Sequence, residues 1–331
     1  MSSILTGITT SGTPHLGNYI GAIKPSLIKI KKVKESFLFL ADYHSLIKQQ
    51  EPELTHSSSL EIASAWLACG LDPKKTFFYR QSRVPQIMEL NWILSNTTSK
   101  GLLNRAHAYK AAVDLNQEKK IKDLDKGISA GTFNYPILMA ADILIFDAEI
   151  VPVGSDQKQH IEMTRDIANK FNITYGESFI LPEAIIDENI HHLPGLDGEK
   201  MSKSYSNFID LFISEKDLQK KINQIKTDSL EPGQKKPKNS ILYKYFECFS
   251  DATKIKMYGE YFNDGMGWGD LKKELYSLIN IELSPYREKY NELISKPKIV
   301  EDFLREGESK AYEIANKNLN KIRQKIGIRP L

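Results

Sequence analysis

The chain has 331 residues, 41% of them hydrophobic and 26% charged, with a net charge of +3. That length allows two apolar cores, and the near-neutral balance excludes a polyanion binder that works through overall charge, so any nucleic acid has to be met by local basic patches. Two cysteines, Cys69 and Cys248, without a CxxC spacing, exclude a disulfide framework and a four-cysteine metal or iron–sulfur site.

Both thiols are expected to be buried. No basic segment followed by an apolar core opens the chain, and no apolar run approaches the roughly 18 residues of a membrane span, so the expected compartment is a reducing cytoplasm with no membrane partner. Basic residues cluster at Lys29, Lys31, Lys32 and Lys34, at Lys235, Lys236 and Lys238, and along Lys317, Lys321, Arg323, Lys325 and Arg329. Each cluster fits a solvated helix face as well as it fits nucleic acid.

In chain order, residues 3–8 read as a short buried strand, 9–14 as a small-residue turn, and a helical pattern begins near Leu16. Residues 36–41 are nearly all apolar, as a central parallel strand requires, and lead into Asp42-Tyr43-His44. An amphipathic helix is expected over 54–69, stopped by Gly70, and a third strand over 76–80. Residues 110–127, with lysines at 119, 120, 122 and 126, read as a mobile charged loop. A helix over 132–142, a strand over 143–153 and a helix from Asp156 to about Phe171 follow. From Leu211 onward the pattern is helical. The alternation predicts an α/β fold with a doubly wound parallel sheet at 1–206 and a smaller all-helical domain at 207–331.

Two segments carry chemistry. His15-Leu16-Gly17-Asn18 sits just after the first strand, where doubly wound sheets bind ligands and helix N-termini face phosphates. Gly7, Gly12 and Gly17 let a nucleotide approach the backbone, while His15 and Asn18 offer donors. By itself this could be a plain strand-to-helix connection. Neither a Walker-type loop nor a GxGxxG fingerprint occurs, so the phosphate site has to be completed elsewhere. The loop Gly195-Leu196-Asp197-Gly198-Glu199-Lys200-Met201-Ser202-Lys203-Ser204 is suited to that, with two glycines as hinges and two lysines able to close on a pyrophosphate. Nucleotidyl transfer needs positioning and charge stabilisation rather than a protein nucleophile.

Together the two segments resemble the paired signatures of class I aminoacyl-tRNA synthetases: a HIGH variant ending in Asn18, and a full KMSKS match at 200–204. The stretches 135–144 and 151–160, the opening residues 7–18 and the Asp42-Tyr43-His44 segment further resemble the tryptophanyl-tRNA synthetases over essentially the whole chain. The resemblance implies that His15, Asn18, Lys200 and Lys203 are catalytic. It implies ATP contacts from Thr9, Thr10, Ser11, Gly17, Asn18, Gly154, Ser155, Asp156, Lys200, Met201, Ser202, Lys203 and Ser204, with His192 or Leu193 on the adenine and Lys110 as a further phosphate contact. The tryptophan pocket would be formed by Leu5, Gly7, His44, Tyr135, Met139, Asp142, Ile143, Val151, Val153 and Gln157. Asp142 would accept the indole N–H. Indole has one donor and no acceptor, so one carboxylate among apolar groups complements it. Thr9 and Thr10 stand where many members carry Gln-Pro, and Leu5 where some carry Phe.

The implied reaction is activation of tryptophan with ATP and Mg²⁺, then transfer to tRNA(Trp), by a homodimer with its helical contact segment at about 84–140 and an anticodon-binding helical domain. No protein metal site is expected. A tyrosine ligase shares both signatures, but its pocket needs partners for a phenolic hydroxyl that donates and accepts. A regulatory paralogue that binds RNA without catalysis would be expected to have lost the signature lysines or Asp142, and all are present.

Overall fold

A computed structural model describes residues 3–10, 12–154, 157–186 and 193–330, apart from the side chain of Ser204. In order, the elements are β1 (Ser3–Ile8), α1 (Leu16–Asn18), a π-helical turn Tyr19–Ile23, α2 (Lys24–Ile30), β2 (Glu35–Leu40), α3 (Asp42–Ser45), α4 (Pro52–Ala68), β3 (Phe77–Arg80), α5 (Gln86–Ser95), α6 (Lys100–Leu103), α7 (His107–Glu118) and α8 (Ala130–Leu144). Then come β4 (Ile150–Pro152), α9 (Lys158–Tyr175), β5 (Glu183–Ile185), α10 (Glu215–Asn223), α11 (Ile241–Phe249), α12 (Ala252–Asn263), α13 (Trp268–Ser295) and α14 (Pro297–Lys325).

The five strands form one parallel sheet in the order β3-β2-β1-β4-β5. β2 is buried along five of its six residues, because helices cover both faces of the sheet and leave no solvent side for a polar residue. α4 starts with Pro52 in its first turn, where the missing N–H costs nothing, and stops before Gly70, whose φ of +105° is open to glycine.

Two apolar cores flank the sheet, and both draw on the C-terminal helices. One gathers Leu38, Leu40, Phe78 and Trp66 with Leu242, Phe246, Leu275 and Ile279; the other joins Leu5, Phe37, Tyr79 and Ile137 with Ala311, Ala315, Leu319 and Ile322. α14 lies on β3 and covers the sheet edge. Arg80, the last residue of β3, holds it there by donating to Glu301 at 2.9 and 3.0 Å and to Glu308.

Three sequence expectations need correction. Residues 110–127 are not a loop throughout: α7 occupies the first half, since Ala111, Ala112 and Leu115 favour a helix more than the nearby charges oppose it. The remainder folds back on buried Asn116, which donates to the carbonyls of Leu124 and Lys126 at 2.8 and 2.9 Å. The strand expected over 143–153 is only Ile150–Pro152. Ile143 and Leu144 end α8, and the apolar run at 143–146 is buried by helix packing before Asp147 turns the chain with φ +49°. Cys248 is half-buried rather than buried, while Cys69 is buried, and burial pushes both thiols up to about 12. Strand β5 has no counterpart in the sequence reading. The other strands and helices with bounds expected from the sequence match within a few residues at their ends.

Helix α14 lies tightly against β3 at Gly307, where an added Cβ would run into the Phe78 carbonyl oxygen. Gly307→Ala is therefore expected to destabilise the fold by roughly 1–3 kcal/mol through overpacking against backbone. A lowered urea midpoint at unchanged slope checks this; an unaltered midpoint would show that the helix shifts without cost.

Candidate functional site

The chain leaves β1 at Ile8 and enters the helix at Leu16. His15 and Asn18 cap its start reciprocally: the His15 Nδ1 accepts from the Asn18 N–H at 3.3 Å, and the Asn18 Oδ1 accepts from the His15 N–H at 3.0 Å. Asn18, the departure from the HIGH pattern, thus serves structurally as part of the helix cap. Thr10 is fully buried and turned inward, donating through its N–H and its hydroxyl to Ser45 at 2.8 and 3.0 Å, so it anchors the turn instead of lining it.

The lysine loop arrives beside this helix through the backbone. Leu16 donates its N–H to the Ile209 carbonyl at 2.9 Å, and Leu211 donates to the Pro14 carbonyl at 3.0 Å, forming an antiparallel bridge at His15 and Asp210. Met201 is buried against the helix start, its sulfur accepting from the Gly17 N–H at 3.3 Å. His15, Gly17 and Asn18 share a cavity of about 560 Å³ with Leu193, Lys200 and Met201. On the other side, His15, Asn18, Gly12 and Thr9 share one of about 330 Å³ with Lys203. The two signatures therefore form one cationic cleft.

A third cavity, of about 340 Å³, opens from the same place, sharing Thr6, Gly7, Thr9 and Ala22 with the Lys203 cavity. Leu5, Gly7, His44, Tyr135, Met139, Asp142, Ile143, Val151, Val153 and Gln157 all line it, together with Gly154. Gly7 is required here, because a Cβ would lie 2.6 Å from the Phe39 ring that forms part of the wall. Among the described residues its one buried carboxylate is Asp142, held by the His44 Nε2 at 2.8 Å and by the Gln81 amide at 2.8 and 2.9 Å. Burial pushes the Asp142 carboxyl up, while His44 and Gln81 hold it back. Beside it the His44, Tyr135 and His160 rings follow one another at 4.4 and 5.3 Å between centroids, and the His160 Nδ1 meets the Gln157 Oε1 at 2.8 Å.

The sequence reading missed Gln81 and His160. Gln81 is fully buried, and its Oε1 accepts from the Tyr43 N–H at 3.2 Å, which fixes the amide toward Asp142. Its position directly after β3, at the carboxyl end of a parallel strand, is the signal that could have found it. Ser11, Ser155, Asp156 and His192 lie outside the described residues. Lys110 is exposed on α7 and lines none of the three cavities.

A model of the family described as tRNA synthetases class I (W and Y) matches residues 1–284, and the chain belongs to that family. It is 53% identical over 330 residues to a tryptophan–tRNA ligase of Neisseria meningitidis, spanning 99% of this chain and 98% of that one. Among solved structures, the tryptophanyl-tRNA synthetase of Campylobacter jejuni, complexed with ADP and tryptophan, superposes with a TM-score of 0.87 at 45% identity, covering 98% of this chain and 99% of that chain. That of Mycoplasma pneumoniae gives 0.80 at 27%, covering 99% and 98%. Within the class I family the chain therefore falls in the tryptophan–tRNA ligases.

The cleft electrostatics give a pH prediction. Burial, then the Lys203 cation, lowers the His15 imidazole from its ordinary 6.5 to about 4. Between those values the unfolded chain binds the extra proton, so this group's contribution to stability is complete above 6.5 and is lost as pH falls through the window toward 4. His15 ring signals are expected to titrate near 4, and Lys203→Ala is expected to raise that midpoint. Titration at an ordinary histidine value would contradict the assigned environment.

Proposed function

We propose that the three joined cavities are where L-tryptophan and ATP react, with the indole against Asp142 and the triphosphate between the two signatures. The observation that carries this is Asp142, the one carboxylate among the described residues that line an aromatic-walled cavity opening directly onto the His15–Lys203 cleft. Asp142 accepts the indole N–H. Met139, Val151, Val153, Ile143 and Leu5 enclose the ring, Tyr135 and Gln157 hold the polar end, and His44 steadies Asp142. The carboxylate of tryptophan attacks the α-phosphate in line, the bond to the β-phosphate oxygen breaks, and pyrophosphate leaves. Lys200 and Lys203 stabilise its growing charge, neutral His15 and Asn18 position the phosphates, and Leu193 and Met201 face the adenine side. The aminoacyl group then passes from the adenylate to the terminal ribose of tRNA(Trp).

Among the described residues, no three His, Cys, Asp or Glu side chains converge to hold a metal. The cations in the cleft suit the phosphates, and a Mg²⁺ ion would travel on those phosphates and neutralise part of their charge. No described helix is long and apolar enough to cross a membrane; the cytoplasm is the proposed compartment. A homodimer contact through the segment at about 84–140 is supported by Trp92, 70% exposed on α5, with exposed Met88 one turn away. The chain divides near residue 206, and the helices beyond Leu211 are assigned to the anticodon. Part of its closing basic segment instead holds the fold together, since Arg323 pairs with Glu89 and Lys325 donates to the Glu177 carbonyl at 3.0 Å.

The decisive experiment is amino-acid-dependent exchange of labelled pyrophosphate into ATP across all twenty amino acids. Exchange with tryptophan alone is expected; exchange with tyrosine alone would move Asp142 into a different pocket. Lys203→Ala should lower kcat by more than about a hundredfold with tryptophan binding intact, since its charge acts chiefly in the transition state. Equal loss of binding would contradict that role. Gln81→Leu should raise the KM for tryptophan about tenfold or more, because a hydrogen bond to a buried charged group is worth about 1.5–3 kcal/mol. The KM for ATP should stay unchanged.

A further inference from the structure

The lysine loop meets the helical body at its outer arm, where Tyr245 donates its hydroxyl to the Pro194 carbonyl and the Lys226 N–H donates to the Leu196 carbonyl, both at 2.9 Å. Neither contact reaches the lysines. Asn207 does. Its Nδ2 donates to the Asp197 Oδ1 at 2.8 Å and to the Lys200 carbonyl at 3.2 Å, and its Oδ1 accepts from the Ser202 N–H at 2.9 Å. Its own carbonyl accepts from the Leu196 N–H at 2.9 Å. One buried side chain thus ties both arms of the loop, and its bonds fall on either side of Met201.

Other features fit this arrangement. Ser206 has φ +54°, a left-handed conformation unusual for serine, and it turns Asn207 back over the loop. Gly195 leaves space for the amide, since a Cβ there would collide with the Asn207 Nδ2. The Asp197 carboxyl is held below the usual range, first by the Asn207 amide. Chemistry restricts the position to asparagine: aspartate would set a second carboxylate against Asp197, and glutamine would push its longer side chain into Gly195. The amide orientation is fixed because a flip would face the NH₂ toward the Ser202 N–H and the oxygen toward Asp197.

We propose that Asn207 is a positioning residue for the adenylation step, fixing the loop so that Lys200 and Lys203 meet the leaving pyrophosphate in a set geometry. It rests on the reading that these lysines act on the pyrophosphate. The tie does not touch substrate; it removes conformational freedom from the loop before the charge develops, which is where preorganisation speeds a reaction.

The test is a double-mutant cycle in tryptophan-dependent pyrophosphate exchange with the full chain. Asn207→Ala is expected to lower kcat about 10- to 100-fold while the KM for tryptophan moves less than about twofold. In a Lys203→Ala background the same change should cost several-fold less than in the wild type, because one of the two lysines being positioned is gone. A fully multiplicative loss in the double variant, or a loss confined to KM, overturns the proposal. If Lys203→Ala retains wild-type kcat, the reading beneath it fails instead, and the proposal falls with it. Asn207→Asp should also slow the reaction, and adding Asp197→Asn, which restores a donor across the pair, should recover part of the loss. No recovery would remove Asp197 from the tie.

Discussion

Everything at the site depends on the short backbone bridge between residues 14–16 and 209–211. Two hydrogen bonds, Leu16 to Ile209 and Leu211 to Pro14, join segments nearly two hundred residues apart. Backbone pairing is insensitive to side-chain identity but strict about position, so it sets His15 and Lys203 against one cleft as soon as the two segments meet. The cost is loop-closure entropy, which rises only slowly with the length enclosed. The C-terminal helices offset it by contributing to both cores beside the sheet. The catalytic cleft is therefore a consequence of whole-chain packing and would not survive separation of the sheet from the later helices.

The second constraint is the burial of Asp142. An ionised carboxylate with no access to water is costly unless it is hydrogen-bonded; His44 and Gln81 supply two partners and leave acceptor capacity for a further donor. They come from the ends of two neighbouring strands, β2 and β3, so the sheet order itself assembles the polar floor of the cavity. Asp42 reinforces the same junction by accepting from the N–H groups of Tyr43 and Ser82 at 3.0 Å. A carboxylate held this rigidly suits recognition of a single N–H donor, because the bond made to the ligand needs no reorganisation of the protein. The same low-dielectric setting makes loss of any one partner expensive.

Much of this was legible from the residues. Buried parallel strands read directly as continuous apolar runs, and Gly70 marked a helix end through its left-handed backbone. The signature segments declared a phosphate site because few other functions need glycine, imidazole and paired lysines in those arrangements. Misreadings have a common physical source. Lysines at 119–126 masked a helix over His107–Glu118, and the apolar run 143–146 looked like strand because burial, not periodicity, is what such a run reports. Strand β5 is three residues long and carries no periodic signal at all.

The sequence by itself determined the fold class and the two signatures, since each depends on local residue type and on order along the chain, while its resemblance to the tryptophanyl-tRNA synthetases pointed to ten of the residues that line the aromatic-walled cavity. Tertiary structure alone decided how these meet. Gln81 and Asn207 act through hydrogen bonds to partners whose approach depends on folding, the first across 61 residues to Asp142 and the second across a loop closed by a left-handed serine. Thr10 turned inward to Ser45 for the same reason. Amide and hydroxyl side chains are equally at home in solvent or in a network, and only the geometry of the folded chain selects between the two.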